Sequence, residues 1–229
     1  TIVSGNSVFE VEDTQKKLGD LFVHYGSVKT GEIKINDVVE MKIDVERRNN
    51  LKAYHSATHL LHESLRRTLG KHVMQKGSLV APDRLRFDFS HMKPITNEEL
   101  ETIDKLVNEY VKNGSEVTTR IMTPKAAIEK GALAFFGEKY GEEVRVVSMG
   151  KEKDAYFSTE LCGGTHVKNT GDIGKFKTVS QSSIAAGVRR VEALRDKQLK
   201  DFIKNKEKLS TLSVQKDEET IKNLSSQII

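Results

Sequence analysis

Two pentapeptides constrain this chain more than any other feature. They are His55-Ser56-Ala57-Thr58-His59 and Cys162-Gly163-Gly164-Thr165-His166, the second beginning 103 residues after the first ends. Histidines four apart on a helix lie one above the other on a single face, the geometry in which two imidazoles can reach one metal ion. The second pentad supplies a thiolate and a third imidazole at the same spacing. Its two glycines allow a tight turn and a close backbone approach. Cys162 is the only cysteine in the chain. His, His, Cys and His form a ligand set that favours zinc, so the fold is expected to bring one helix and one distant turn together. A metalloprotease helix would carry Glu directly after its first His; Ser56 stands there, and that reading fails. A structural zinc knuckle would more often use cysteine pairs. Four protein ligands also close a tetrahedral zinc, whereas catalytic zinc usually keeps one position open. Catalysis would therefore need a loose ligand, an expanded shell or a reactive group beside the metal.

With 229 residues the chain has room for one large or two small domains. Hydrophobic residues at 37% and charged residues at 31% mark a globular protein, and no apolar run approaches a membrane span. No basic-then-apolar leader opens the chain, and one cysteine allows no internal disulfide, as in a reducing compartment; a cytoplasmic location is expected. Residues 1–50 carry 7 Lys/Arg against 9 Asp/Glu, residues 51–200 carry 25 against 19, and the rest balance at 5 and 5. The positive excess sits on the segment with the metal-type ligands, compatible with a polyanionic partner or with an ordinary solvated surface. The missing initiator Met and the uncapped, Lys-rich end at Ile229 suggest a piece of a longer protein.

Taken in order, residues 1–48 are expected to form a small, barrel-like β domain. Its strands are Ser7-Val8-Phe9-Glu10-Val11, Leu21-Phe22-Val23 and Val38-Val39-Glu40-Met41, broken at Gly19-Asp20, Gly31 and Asn36-Asp37. Lys34-Ile35-Asn36-Asp37 reads as a strand entering a turn. The composition shifts at Arg47-Arg48-Asn49-Asn50. A core over 49–199, with an antiparallel sheet and helices, then begins with a helix from about 51 to 69. Ala57, Leu61, Leu65 and Leu69 are its stripe and Gly70 its stop. His62 is assigned to the surface or to an outer support. Residues 73–80 read as a strand turning back on itself, and Leu85-Arg86-Phe87-Asp88-Phe89-Ser90 alternates with Leu85, Phe87 and Phe89 inward.

Thr96-Asn97-Glu98-Glu99 is a capping box for a helix with the stripe Leu100, Ile103, Val107, Tyr110 and Val111, ended by Gly114. A strand over 116–121, a short helix from Thr123-Pro124 to Glu129, and strands at 144–147, 157–161, 176–179 and 188–194 follow. Residues 131–140 are an apolar, glycine-punctuated stretch of unassigned structure. From Arg195 the pattern turns helical, with Leu209, Leu212, Val214, Ile221 and Leu224 awaiting a partner; residues 200–229 read as a helical linker. The class is thus α+β.

Six stretches in order now resemble one family. They are His55-Ser56-Ala57-Thr58-His59-Leu60-Leu61-His62, Gln75-Lys76-Gly77-Ser78, Leu85-Arg86-Phe87-Asp88-Phe89-Ser90-His91, Gly131-Ala132-Leu133-Ala134-Phe135-Phe136-Gly137-Glu138-Lys139-Tyr140-Gly141, Leu161-Cys162-Gly163-Gly164-Thr165-His166-Val167 and Ala186-Gly187-Val188-Arg189-Arg190-Val191-Glu192-Ala193. Together they resemble the editing region of alanyl-tRNA synthetase, from about Val8 to Leu194. The resemblance implies a zinc-dependent hydrolase that clears tRNA(Ala) wrongly charged with serine or glycine, because binding alone separates such small amino acids poorly. It implies His55, His59, Cys162 and His166 as zinc ligands, Thr58 as a contact to the seryl hydroxyl, and Gln75 in the editing pocket. Gly163 and Gly164 would lend backbone amides to the developing oxyanion. Arg189 and Arg190 would touch tRNA phosphates, though exposed arginines paired with acids are an equal expectation. The ATP-binding aminoacylation domain would precede Thr1, and a C-terminal domain would follow. Two rivals stand beside this reading: the related editing domain of threonyl-tRNA synthetase, and a non-catalytic, zinc-stabilised tRNA-binding module.

Overall fold

A computed structural model describes residues 1–19, 21–134 and 141–225, with the side chains of 212–225 outside the description. The chain divides into two compact units, Thr1–Arg48 and Asn49–Ile229. The first is an antiparallel sheet of β1 (Ile2–Ser4), β2 (Ser7–Lys17), β3 (Leu21–Thr30) and β4 (Glu40–Met41), in the order β3-β2-β1-β4. This ladder ends on β3 and β4 instead of closing into the expected barrel. Lys34 and Val38 lie outside any strand. The Asp37 carboxylate takes the Lys34 amide at 2.8 Å and the Asp37 amide reaches back to the Lys34 carbonyl, while Asn36 sits at φ 72°. The expected turn forms as a local side-chain turn, without the strand residues expected directly on either side of it.

The second unit is mixed α and β. Helix α1 runs Val45–Leu69, six residues longer at its start than the apolar stripe predicts. The Asp44 carboxylate accepts the Arg47 amide at 2.9 Å, an N-cap the stripe does not show. One sheet holds β5 (Gln75–Val80), β6 (Leu85–Ser90), β10 (Phe176–Ala185) and β11 (Val188–Arg195), in the order β10-β11-β6-β5. The other holds β7 (Thr118–Met122), β8 (Val144–Lys151) and β9 (Tyr156–Leu161), in the order β7-β8-β9, and every pairing is antiparallel. Helices α2 (Asn97–Asn113), α3 (Pro124–Glu129) and α4 (Asp196–Ser225) complete it.

The capping box at Thr96 and Glu99 forms with both bonds, at 2.7 and 3.2 Å. Strand β5 does not turn back on itself. It pairs with β6 along its length, and a bulge between Gln75 and Gly77 absorbs Lys76. The core joins α1 (Leu60, Leu61, Leu65), β6 (Phe87, Phe89), α2 (Ile103, Val107), β8 (Val147, Met149) and β11 (Val191, Ala193). Each fully buried large side chain stabilises by about 1.5–3 kcal/mol, so α1 is fixed on both neighbouring layers before its polar residues act. The helical reading from Arg195 holds as one continuous helix over 196–225; Leu209 on it is exposed, and the side chains of Leu212, Val214, Ile221 and Leu224 fall outside the description. The same holds for residues 135–140 of the glycine-punctuated stretch. No described helix is long and apolar enough to cross a membrane.

Candidate metal centre and cleft

Helix α1 presents His55 and His59 one turn apart, with ring centroids 5.2 Å from each other. Strand β9 ends at Leu161 and hands the chain to Cys162, whose amide bonds the Arg145 carbonyl of β8 at 2.9 Å. The turn that follows returns His166 to the same point, its ring 4.2 Å from that of His55. Cys162 Sγ stands 3.5 Å from His55 Nε2 and 3.3 Å from His166 Nε2. All four candidate ligand atoms lie within 4.8 Å of one another. A tetrahedral zinc, with Zn–S about 2.3 Å and Zn–N about 2.0–2.1 Å, sets its sulfur about 3.6 Å from each nitrogen. His59 Nε2 is buried with no hydrogen-bond partner among the described residues. An orphaned buried nitrogen costs stability, and a cation at the centre of the cluster would satisfy it. The residues fit a metal ion, and their donor chemistry is compatible with zinc.

Electrostatics divide the ligands by protonation. Burial opposes a charged His59, yet the adjacent Glu160 carboxylate outweighs it and pushes the ring up to about 10. Burial also works against an ionised Glu160, but the two imidazoles facing it hold its carboxyl well below the ordinary carboxylate range. At Cys162 burial would raise the thiol, whereas hydrogen bonds from His166 and His55 bring it down to about 3, so the sulfur is a thiolate. Burial takes His166 down to about 4, the Cys162 bond opposing. Cys162 and His166 thus stand in the deprotonated state a metal requires of its ligands, whereas the raised His59 has to release its Nε2 proton as a metal binds.

The cluster opens onto a cleft of about 350 Å³ lined by His55, Thr58, His59, Gln75, Ser78, Arg145, Cys162 and Gly163, among others. Thr58 is buried and its hydroxyl donates to the Tyr54 carbonyl at 2.9 Å, which leaves lone pairs on the oxygen. The Gln75 amide donates to Ser78 Oγ at 3.2 Å. The Arg145 guanidinium bonds the Gly164 carbonyl and so pins the glycine turn. Arg189 and Arg190 are absent from this lining. Arg190 grips both oxygens of Asp88 at 2.7 and 2.8 Å, and Arg189 bonds Gln181 at 3.0 Å.

Three residues near the cluster carry roles that the pentads alone do not reveal. Ser56 Oγ bonds His166 Nδ1 at 3.2 Å and accepts the Val167 amide. Glu160 and His62, both buried, meet behind His59, so His62 is not a surface residue. Glu160 lies in β9 two residues before Cys162, which follows the strand's end, and that closeness in sequence was the available signal.

An antiparallel α+β core with a three-histidine, one-cysteine cluster at a cleft defines a class, and comparison with known proteins identifies it. Residues 144–192 match the family described as threonyl and alanyl tRNA synthetase second additional domain. Within that class the similarity runs to alanyl-tRNA synthetase. An alanine–tRNA ligase of Parvibaculum lavamentivorans (strain DS-1) is 58% identical over 189 residues, which are 81% of this chain and 21% of that protein. The chain thus spans about a fifth of the length of the curated relative it matches.

Proposed function

We propose that this chain hydrolyses the ester of tRNA(Ala) mischarged with serine or glycine, in the cytoplasm and with zinc held by His55, His59, Cys162 and His166. The observation that carries the reading is the junction of the cluster with the cleft: the same His55, His59 and Cys162 that face one another also line a 350 Å³ space. That volume suits a small ligand, such as an aminoacylated terminal ribose. The alanine–tRNA ligase relationship supplies the tRNA.

An aminoacyl ester is already activated, so the protein needs to orient it, admit water and stabilise an oxyanion. Zinc bound at the cluster supplies polarisation of a carbonyl or of water, or a grip on the amino group. Thr58, its hydroxyl proton committed to Tyr54, accepts the proton of a seryl hydroxyl. Gln75, which also lines the cleft, orients the ester. The turn at Gly163 and Gly164, held by Arg145, offers backbone amides to the developing charge. Arg189 and Arg190 are proposed as phosphate contacts outside the cleft.

The test is a deacylation assay on this chain with seryl-, glycyl- and alanyl-tRNA, with and without a chelator. Hydrolysis of the first two, lost on chelation and restored by zinc, is expected. Binding of mischarged tRNA with its ester intact would instead establish the non-catalytic module.

A further inference from the structure

We propose that Glu160 is the positioning residue of the metal centre and that His62 is its anchor, two roles separate from the four ligands. This rests on the metal-binding part of the reading above but not on hydrolysis. Glu160 Oε2 lies 2.9 Å from His59 Nδ1, Oε1 lies 3.2 Å from His62 Nδ1, and the Ser158 hydroxyl donates to Oε1 at 3.1 Å. The carboxylate is 2% exposed, so these three donors stand in for water.

Geometry dictates the tautomer. A carboxylate can only accept, so each Nδ1 facing it carries the hydrogen, and in a neutral ring Nε2 is then the bare nitrogen. For His59 that nitrogen is the buried, unpartnered atom beside Cys162 and His55. A carboxylate bonded to the far nitrogen of a ligating imidazole fixes ring orientation and raises ligand basicity. His62 Nε2 is also buried and unpartnered among the described residues. It reaches no ligand, so its contribution is the Nδ1–H that stops Glu160 from rotating away from His59. Packing of the His62 ring against Phe87, with centroids 5.1 Å apart, holds the anchor in place.

Zinc affinity of the 229-residue chain, measured by competition with a chromophoric chelator, tests the idea alongside the tautomers of His59 and His62 read from long-range proton–nitrogen NMR. In the unsubstituted chain with zinc bound, both rings are expected to carry their hydrogen on Nδ1; a His59 hydrogen on Nε2 overturns the proposal. Glu160→Gln retains the shape but puts an amide where two N–H groups converge, and zinc affinity should fall roughly 10–100-fold. His62→Phe removes one N–H from the carboxylate and should lower affinity less than Glu160→Gln does. Unchanged affinity in a folded Glu160→Gln protein, checked by circular dichroism, overturns the positioning role. Should Glu160→Gln fail to fold, the tautomers and the His62→Phe affinity decide. Because neither readout involves tRNA, a chain that binds zinc through an oriented His59 yet spares the ester would sink the proposed function and leave this inference standing.

Discussion

Gly164 and His55 are packed so closely that a single methyl group cannot pass between them. A Cβ built on Gly164 would meet Cε1 and Nδ1 of the His55 ring at well under 3.0 Å, whereas one on Gly163 would meet nothing within 4 Å. The two neighbours therefore separate structure from access. Gly164→Ala should push His55 off its place beside Cys162 and lower zinc affinity roughly 10-fold or more, on the scale of losing an outer support. Gly163→Ala should leave zinc affinity unchanged while placing a methyl in the cleft lining. Chelator competition on both variants is the measurement, and equal affinities would refute the packing account.

Asp104 offers a pH signature remote from the metal ligands. Burial raises its carboxyl above the ordinary value, opposed by two bonds from Thr178, an amide at 2.9 Å and a hydroxyl at 2.8 Å, and by Lys177 at 3.5 Å. A raised carboxyl pKa means the folded chain binds the proton more tightly than the unfolded one. Its contribution to stability then grows as pH falls from neutrality through the folded value, and levels off below the unfolded value. Asp104→Asn keeps the oxygen that accepts from Thr178 but does not titrate. The stability of the parent chain relative to this variant should rise between neutral and mildly acid pH in urea titrations. A difference that is flat or falls with acidification would contradict the assignment.

How far the chain could be read in advance depended on whether the cause was local. The capping box at Thr96 and Glu99, the stop at Gly70 and the alternation of Leu85, Phe87 and Phe89 are set within a few residues, and all three form as expected. The ligand pentads were legible because one cysteine and two four-residue spacings left few alternatives. Asp88 was expected outward by the same alternation, yet it is 5% exposed, because Arg190 arrives from the neighbouring strand to cover it. Of the two readings of His62, surface or outer support, only the second fits, and the sequence could not choose between them for a similar reason: its partner Glu160 is 98 residues away. Neither partner leaves a periodic trace near the residue it serves. At the Gln75–Gly77 bulge a register shift kept in the strand a segment that its composition marked as a turn, and at Asn36 the expected turn forms without strand directly beside it.

The ion pair of Arg190 with Asp88 bears on how tRNA would be held. Both carboxylate oxygens are engaged, so a phosphate has to share or displace them. Among the described residues Arg189 bonds the uncharged Gln181 and leaves its Nε unpartnered. In a titration of tRNA affinity against salt, each lost phosphate contact flattens the log–log slope by about 0.7–0.9. Arg189→Gln is expected to flatten it by about one contact. Arg190→Gln is expected to lower the melting temperature by freeing Asp88, with a smaller change in slope. A steeper loss of slope at Arg190 than at Arg189 would reverse the ranking.

Selectivity between serine and glycine is the sharpest test of the cleft. Cys162→Ala removes the thiolate that His55 and His166 face at 3.5 and 3.3 Å; zinc binding and deacylation of seryl-tRNA should both disappear. Thr58→Val keeps size and branching while deleting the hydroxyl. Because that hydroxyl already donates to Tyr54, the atom it offers a ligand is an acceptor, and only serine brings a hydroxyl to meet it. Loss of one such bond is worth about 0.5–1.5 kcal/mol, or roughly 2–10-fold in the rate with seryl-tRNA at limiting substrate. Glycyl-tRNA has no side-chain hydroxyl and should be cleared at nearly the parent rate. Equal losses for the two substrates would assign Thr58 to the packing of α1 and not to recognition.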